Sequence, residues 1–482
     1  MAITSTEAAK RTGRAMRAAA ATLVALSASG CATTNPEGLF QEVAYTVESR
    51  SGNRIAWQAG PYSDSGAEMA VKALLAKPLT PRSAVQIALL NNRELQANYA
   101  ELGIAQAALV QAKTPPNPVL DGAITFPEDG GTNLAFGIAM NVIQVLYIPL
   151  KARVAESQIE EAKFKVASEV LGVAIRTHLA FIDYQASQQT IELLTQVIES
   201  TRASVIAAKA LREAGNTTAL EFESQSVQLT EAKLELAAAE TRGAEARERL
   251  NVMMGLHGSQ TRWSAAHRLP DPPRSEGNLA QAERRAIDAS LELAAARQSL
   301  VTLAHKYRVE KASGIVPDLE AGGEWERDDG EKEGGPIFEV QLPIFDRGRA
   351  RKAAAEMEIV RARDSYTALA VRIRSAARLA VVNLRNARAS AAYYRDTVIP
   401  QSARLLDETQ REYNAMQRGV FNLLQAKERQ IRAGERYVEA LASYWKARVR
   451  FAALMQGIMP PEGGNSAPAA RDRAQMANAG GH

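Results

Sequence analysis

Apolar residues recur at helical spacing through most of this chain, and in two stretches the period drops from about 3.6 to about 2. Thr80-Pro81 supplies an N-cap followed by proline at the first helical position. Ala84, Ile87, Ala88, Leu95, Leu102 and Leu109 then follow at helical spacing until Pro115-Pro116. Beyond it Leu134, Phe136, Ile138 and Met140 alternate with Ala135, Gly137 and Ala139, and Glu128-Asp129-Gly130-Gly131 gives a turn signal. This predicts a β-hairpin with one apolar face over 116–146, closed by Pro149. Residues 151–213 return to a helical pattern, Gly215-Asn216 breaks it, and a further helix runs from about Thr217 to Met254. A linker rich in glycine and proline occupies 255–276.

The order then repeats. Ala84, Ala88, Leu95 and Leu102 fall on Ala282, Ala286, Leu293 and Leu300 at a constant offset of 198. A second hairpin is predicted over 316–345, with its turn between Asp328-Asp329-Gly330 and Gly335. A long helix over 349–418 follows, broken by Gly419, and a return helix spans 420–456. Ile359, Tyr366, Ile373, Ala380, Ala387 and Tyr394 recur every seventh position, as do Leu424, Ile431, Val438, Trp445 and Ala452, which is coiled-coil periodicity. The fold class is therefore mostly α with a small β part: two repeats, 79–254 and 277–457, of long antiparallel helical coiled coils, each with one hairpin. Residues 31–78 read as an extended N-terminal arm and 458–482 as a disordered tail.

The strands set the strongest constraint. Each of the four spans roughly ten residues, about the length that crosses a hydrocarbon layer when tilted. Four strands cannot close a barrel, and open sheet edges are not tolerated in lipid. If these strands are membranous, the chain must oligomerise, and three copies give twelve strands. In the second hairpin Leu319, Ala321, Gly323 and Trp325 alternate with Asp318, Glu320, Gly322, Glu324 and Glu326, and Phe338, Val340 and Leu342 alternate with Glu339 and Gln341. A lipid-facing side and an acidic lumen-facing side follow, the latter carrying Asp318, Glu320, Glu324, Glu326 and Glu339.

Composition and charge narrow the function. The 482 residues are 46% hydrophobic and carry 58 Lys+Arg against 54 Asp+Glu, a net +4 too small and too dispersed for a nucleic-acid partner. No run of eighteen apolar residues occurs, so no membrane-spanning helix is predicted. His178, His257, His267 and His305 are scattered, and no metal-binding, nucleophile-elbow, Walker or dinucleotide motif is present; no enzyme, cofactor or metal site is predicted. Lys10, Arg11, Arg14 and Arg17 ahead of a short apolar stretch mark residues 1–30 as a secretory signal. Ser29-Gly30-Cys31 resembles a bacterial lipoprotein processing box, although Ala28 stands where leucine is usual; Cys31 would then be lipidated, the alternative being an ordinary cleaved signal.

Three segments together resemble the outer membrane factors of the TolC family, the exit ducts of tripartite bacterial efflux pumps. They are Leu79-Thr80 through Asn91-Asn92 and Glu94-Leu95 to Pro116-Asn117-Pro118; Leu342-Pro343-Ile344-Phe345-Asp346-Arg347-Gly348-Arg349; and Ile399-Pro400-Gln401-Ser402 leading to Tyr413, Gly419, Leu423-Leu424 and Ala426. The resemblance covers about residues 79–456. It implies a homotrimer with a twelve-strand barrel in outer-membrane lipid and a helical tunnel through the periplasm, lipid-anchored on the periplasmic side. It also implies a periplasmic adaptor and an inner-membrane transporter as partners. At the matching helical turns, adaptor contacts would fall on Arg212, Gly215 and Leu220 and on Arg418, Gly419, Leu423 and Leu424. Glycine there permits the positive φ of a helix C-terminus, and the neighbouring arginines and leucines offer a charged rim and an apolar anchor. Asp407, Glu412 and Tyr413 would contribute to closing the tunnel, and Pro400 should kink its helix. An acidic lumen favours cations and suits metal-ion export, with drug export an equal alternative. The rival class is a soluble periplasmic coiled-coil scaffold or adaptor.

Overall fold

A computed structural model of the chain describes residues 36–58, 61–126, 132–266, 268–314, 319–328 and 331–460. The signal, Cys31, Asp318, the tips of both hairpin turns and the tail beyond 460 lie outside them. The elements are α1 Pro36–Ser51, α2 Pro61–Leu75, α3 Pro81–Asn91, α4 Arg93–Lys113, β1 Val119–Thr125, β2 Asn133–Asn141, α5 Val142–Glu213, α6 Ala219–Met254, α7 Ala282–Ala289, α8 Leu291–Ser313, β3 Leu319–Asp328, β4 Glu331–Val340, α9 Arg349–Tyr393, a π-helical turn Tyr394–Val398, α10 Ile399–Asn414 and α11 Val420–Met455. The duplicated order of helix, hairpin, long helix and return helix is present twice.

Several expectations need correction. The arm is not extended: α1 and α2 occupy most of it. α1 packs Phe40 edge-to-face on Tyr99 at 5.1 Å, and its buried Phe40, Val43 and Val47 stand at i, i+3 and i+7, a helical spacing too short to be recognised as a sustained period. Each opening helix is interrupted, at Asn92 and at Ser290, whose side chains cap the helix that follows: Asn92 Oδ1 accepts from the Glu94 and Leu95 amides, and Ser290 Oγ from the Leu293 amide. The first hairpin ends at Asn141, not Pro149, because Asn141 Oδ1 accepts from the Gln144 amide and starts α5 there, leaving Pro149 inside the helix. The Gly334-Gly335 pair lies within β4, not in a turn. The helix predicted over 349–418 is three pieces, ending at Asn414.

The chain forms two compact units. Of the described residues, the first gathers Pro36–Val43, Asn98–Lys163 and Ala295–Asp364. It holds a four-stranded antiparallel sheet in the order β1-β2-β3-β4 and the helix ends rooted in it. β2 of the first hairpin pairs with β3 of the second, so the two repeats join through their strands. Tyr147 donates to the Ala312 carbonyl at 3.1 Å, and Arg351 pairs with Glu310 at 3.5 Å, tying strand-proximal helix ends together.

The second unit comprises Ala44–Ala97, Phe164–Ala294 and the chain from Ser365. Leu194, Val197 and Ile198 of α5, Ala232 and Ala239 of α6 and Ile431 of α11 make one core cluster. Ala286, Leu293, Ile373, Ala377, Ala380 and Leu454 make another. The seams mix alanine with larger aliphatic residues; on α6, Gly243 lies so near α5 that an added Cβ would sit 2.8 Å from Ile191. Small seam residues bring helices close, and the buried isoleucines and leucines supply apolar area worth about 1.5–3 kcal/mol each. Ile373, Ala380, Ile431 and Val438 of the predicted heptads are buried, whereas Ala452 is exposed and the seam passes to Val449 and Ala453.

The ends of the return helices are held differently in the two repeats. Asn91 Nδ2 donates to the carbonyls of Met254 and Gly255, at 3.0 and 2.8 Å. The residue 198 places on is Ala289, which has no side-chain amide to offer. There Arg50 from α1 donates to the carbonyls of Ala289 and Gln456, at 2.6 and 2.8 Å.

Candidate functional site

The register sorts the sheet by face. On one face the cross-strand rows run Ile124–Leu134–Arg327–Lys332, Gly122–Phe136–Trp325–Gly334, Leu120–Ile138–Gly323–Pro336, Met140–Ala321–Phe338 and Leu319–Val340. Leu120, Ile124, Phe136, Ile138, Trp325, Phe338 and Val340 of these rows are exposed. An uncovered apolar face of this extent is the opposite of a surface hairpin folded on its own interior. The other face carries Asp121, Glu320, Glu324, Glu326, Glu333 and Glu339, with Glu320 directly opposite Glu339 and Glu326 opposite Glu333. Asp121 and Glu333 were missed from the sequence, although Leu120, Gly122 and Ile124 alternating with Asp121, Ala123 and Thr125 carries the same signal. Asp121 leans over Gly137, where an added Cβ would lie 2.6 Å from its carboxylate oxygens.

The two helical turns in the second unit share one geometry, three residues out of step with the expected match. After α5, the Asn216 amide donates to the Leu211 carbonyl at 2.8 Å and the Gly215 amide to Arg212 at 3.0 Å, with Gly215 at φ +74°. After α10, the Gln417 amide donates to Glu412 at 2.9 Å and the Met416 amide to Tyr413 at 3.0 Å, with Met416 at φ +57°. Both are Schellman closures. Met416 is therefore the counterpart of Gly215, and Gly419, at φ −76°, ψ 160°, is the N-cap of α11 and the counterpart of Thr218. The positive φ expected of Gly419 is not found; glycine is tolerated there as an N-cap residue.

Around these turns Arg212 lies over the Phe222 ring at 5.2 Å, Leu220 is 79% exposed, and Leu423 and Leu424 are half-buried. Arg418 pairs with Glu412 at 2.8 Å, and Arg411 with Asp407 at 2.8 Å and Glu408 at 3.0 Å. Glu412 is thus ion-paired within one chain and Asp407 shares Arg411 with Glu408, while Tyr413 is 38% exposed. Burial lowers the pKa of the His178 imidazole by disfavouring its charged form. Among the described residues, no group of three or more His, Cys, Asp and Glu is placed to hold a metal, and no helix is long and apolar enough to cross a membrane.

A duplicated helical order with one sheet, apolar on an uncovered face, acidic on the other and open at both edges, has the features that a stave of a membrane duct requires. Comparisons with known proteins agree. Residues 84–256 match the family described as outer membrane efflux protein. The chain is 26% identical over 377 residues to the cobalt-zinc-cadmium resistance protein CzcC of Cupriavidus metallidurans, covering 77% of this chain and 88% of that one. It shares the fold of a membrane protein from Pseudomonas aeruginosa (TM-score 0.67, 17% identity, 80% of this chain and 91% of that one). It also shares that of the Campylobacter jejuni CmeC outer membrane channel (TM-score 0.64, 14% identity, 80% and 87%). These similarities are to outer membrane efflux proteins and outer membrane channels, and the fold of this chain, mostly helical with a four-stranded antiparallel sheet, is the one those channels share.

Proposed function

We propose that three copies of this chain close one twelve-strand barrel and conduct divalent metal cations outward. In this reading a periplasmic adaptor and an inner-membrane transporter supply the cargo and the energy, and no covalent step occurs in the duct. The observation that carries the reading is the sheet: β1 and β4 are both edges, and the apolar face beside them is uncovered, so burial and backbone pairing both call for further copies. A cation cargo is supported by the carboxylates Asp121, Glu320, Glu324, Glu326, Glu333 and Glu339 on the opposite face and by the similarity to a cobalt-zinc-cadmium resistance protein. Cys31 would carry the lipid anchor on the periplasmic side.

The adaptor would seat on the two turns, against Leu220, Gly215 and Arg212 in one and Arg418, Gly419, Leu423 and Leu424 in the other. Asp407, Glu412 and Tyr413 would narrow the tunnel, with the arginine partners of the two carboxylates exchanged on opening. Native mass spectrometry of the detergent-extracted chain tests the assembly: a trimer is expected, and a stable monomer in detergent-free buffer defeats the proposal. Deleting the gene should sensitise cells to cobalt, zinc or cadmium; sensitivity to organic toxicants alone would reassign the cargo.

A further inference from the structure

The lipid-side face of the sheet is not apolar to its end. At its turn-proximal edge Arg327 of β3 stands directly opposite Lys332 of β4, both exposed, in the row completed by Leu134 and Ile124. Placing two like charges opposite each other on one face is destabilising. Neither has an ion-pair or hydrogen-bond partner among the described residues, and the carboxylates of Glu326 and Glu333 project from the reverse face. The next row inward sets Phe136 opposite Trp325, so an aromatic pair separates the two cations from the aliphatic rows below. Aromatic residues of that kind mark the boundary between hydrocarbon and headgroups. The other ends of all four strands lead toward helices, so this row is the one farthest from the helical part of the sheet's own unit.

The geometry points to Arg327 and Lys332 forming a docking site for the phosphate groups of lipid in the outer leaflet, a site that rests on the barrel reading above. The pair provides a planar bidentate donor and a compact ammonium on adjacent strands, a combination suited to one phosphate bridging both. Binding removes the mutual repulsion and fixes β3 against β4 at the rim, where the hairpin leaves the membrane. The occupant is a lipid phosphate rather than a free anion, because the charges top an apolar face on which acyl chains lie.

The test uses the purified full chain in detergent, with lipid A, a phosphorylated glycolipid, as the probe. Retention is read by native mass spectrometry. The wild-type chain should retain lipid A and lose most of it when the phosphates of the lipid are removed. Arg327→Gln and Lys332→Gln should each weaken retention by about fivefold, and the double variant by more than about twentyfold. Retention of a diacylglycerol, which has no phosphate, should be the same in wild type and variants, and a loss there equal to the loss of lipid A overturns the site. Equal retention of the dephosphorylated lipid, or a double variant that binds like wild type, overturns the site. Stripping of the lipid by millimolar inorganic phosphate also overturns it, since that would make it a free-anion site. Should the double variant fail to assemble, the phosphorylated against dephosphorylated comparison on the wild-type chain decides. A wild-type chain that is monomeric defeats the barrel reading itself, an outcome separate from any change in lipid retention.

Discussion

Arg50 is the residue whose role is hardest to anticipate and easiest to test. Its guanidinium is drawn out of water to reach two carbonyls, and burial holds its pKa below the ordinary value. Hydrogen bonds from a charged donor contribute about 1.5–3 kcal/mol each, and removing the donor leaves the Ala289 and Gln456 carbonyls unsatisfied. Arg50→Ala should therefore cost about 2–4 kcal/mol, read as a fall in midpoint in denaturant unfolding, and Arg50→Lys should recover only part of it. At Met416 the sign reverses. A methionine held at φ +57° bears a left-handed penalty of about 1–2 kcal/mol that glycine does not. Met416→Gly should raise stability by up to about 1 kcal/mol, and Gly215→Val, at φ +74°, should lower it by at least as much.

Among the elements, the hairpins and the coiled-coil seams were legible in the sequence because both rest on strict periods: alternation in Leu134 to Met140, and sevenfold recurrence through Ile373, Ala380, Ile431 and Val438. What was not legible depends on single side chains acting locally. Asn141 overrides Pro149 as the start of α5, and Asn92 and Ser290 split helices that hydrophobic spacing joins. The turn match failed for a related reason: Gly419 looks like the partner of Gly215, but a left-handed methionine has no signature of its own. The adaptor and tunnel residues came from family likeness, not from the residues' own chemistry. The π-turn Tyr394–Val398 was likewise unseen, although Pro400 beside it was noticed. The Ile399 amide donates five residues back, to Tyr394, and Pro400 has no amide to give, so the helix carries a widened turn and a missing donor in sequence. Pro400→Ala should restore an ordinary helix there and change tunnel closure; single-channel conductance indistinguishable from wild type would count against that bend as a determinant of closure.

For the whole molecule, the decisive contrast lies between the two sides of one sheet. Ile138 sits in the middle row of the apolar face and its neighbour Ala139 on the acidic face. A charge on a lipid-facing position near the midplane costs about 2–4 kcal/mol per copy, whereas the reverse face meets water. Ile138→Arg should abolish detergent-resistant trimers recovered from the outer membrane, and Ala139→Arg should leave their yield within about twofold of wild type. Equal effects from the two would mean that lipid does not cover that side.

The two halves of the chain are copies in layout but not in self-sufficiency. Residues 79–254 hold their own return-helix terminus with Asn91, while 277–457 borrow Arg50 from a helix that precedes both. A gene fragment encoding only the later half would thus keep the Leu291 amide on the Gly457 carbonyl but lose both bonds from Arg50. The leading helix works as a clasp for a partner more than two hundred positions downstream, and cutting the duplicated chain at its midpoint would cost the later piece that clasp and the earlier piece its β3 neighbour.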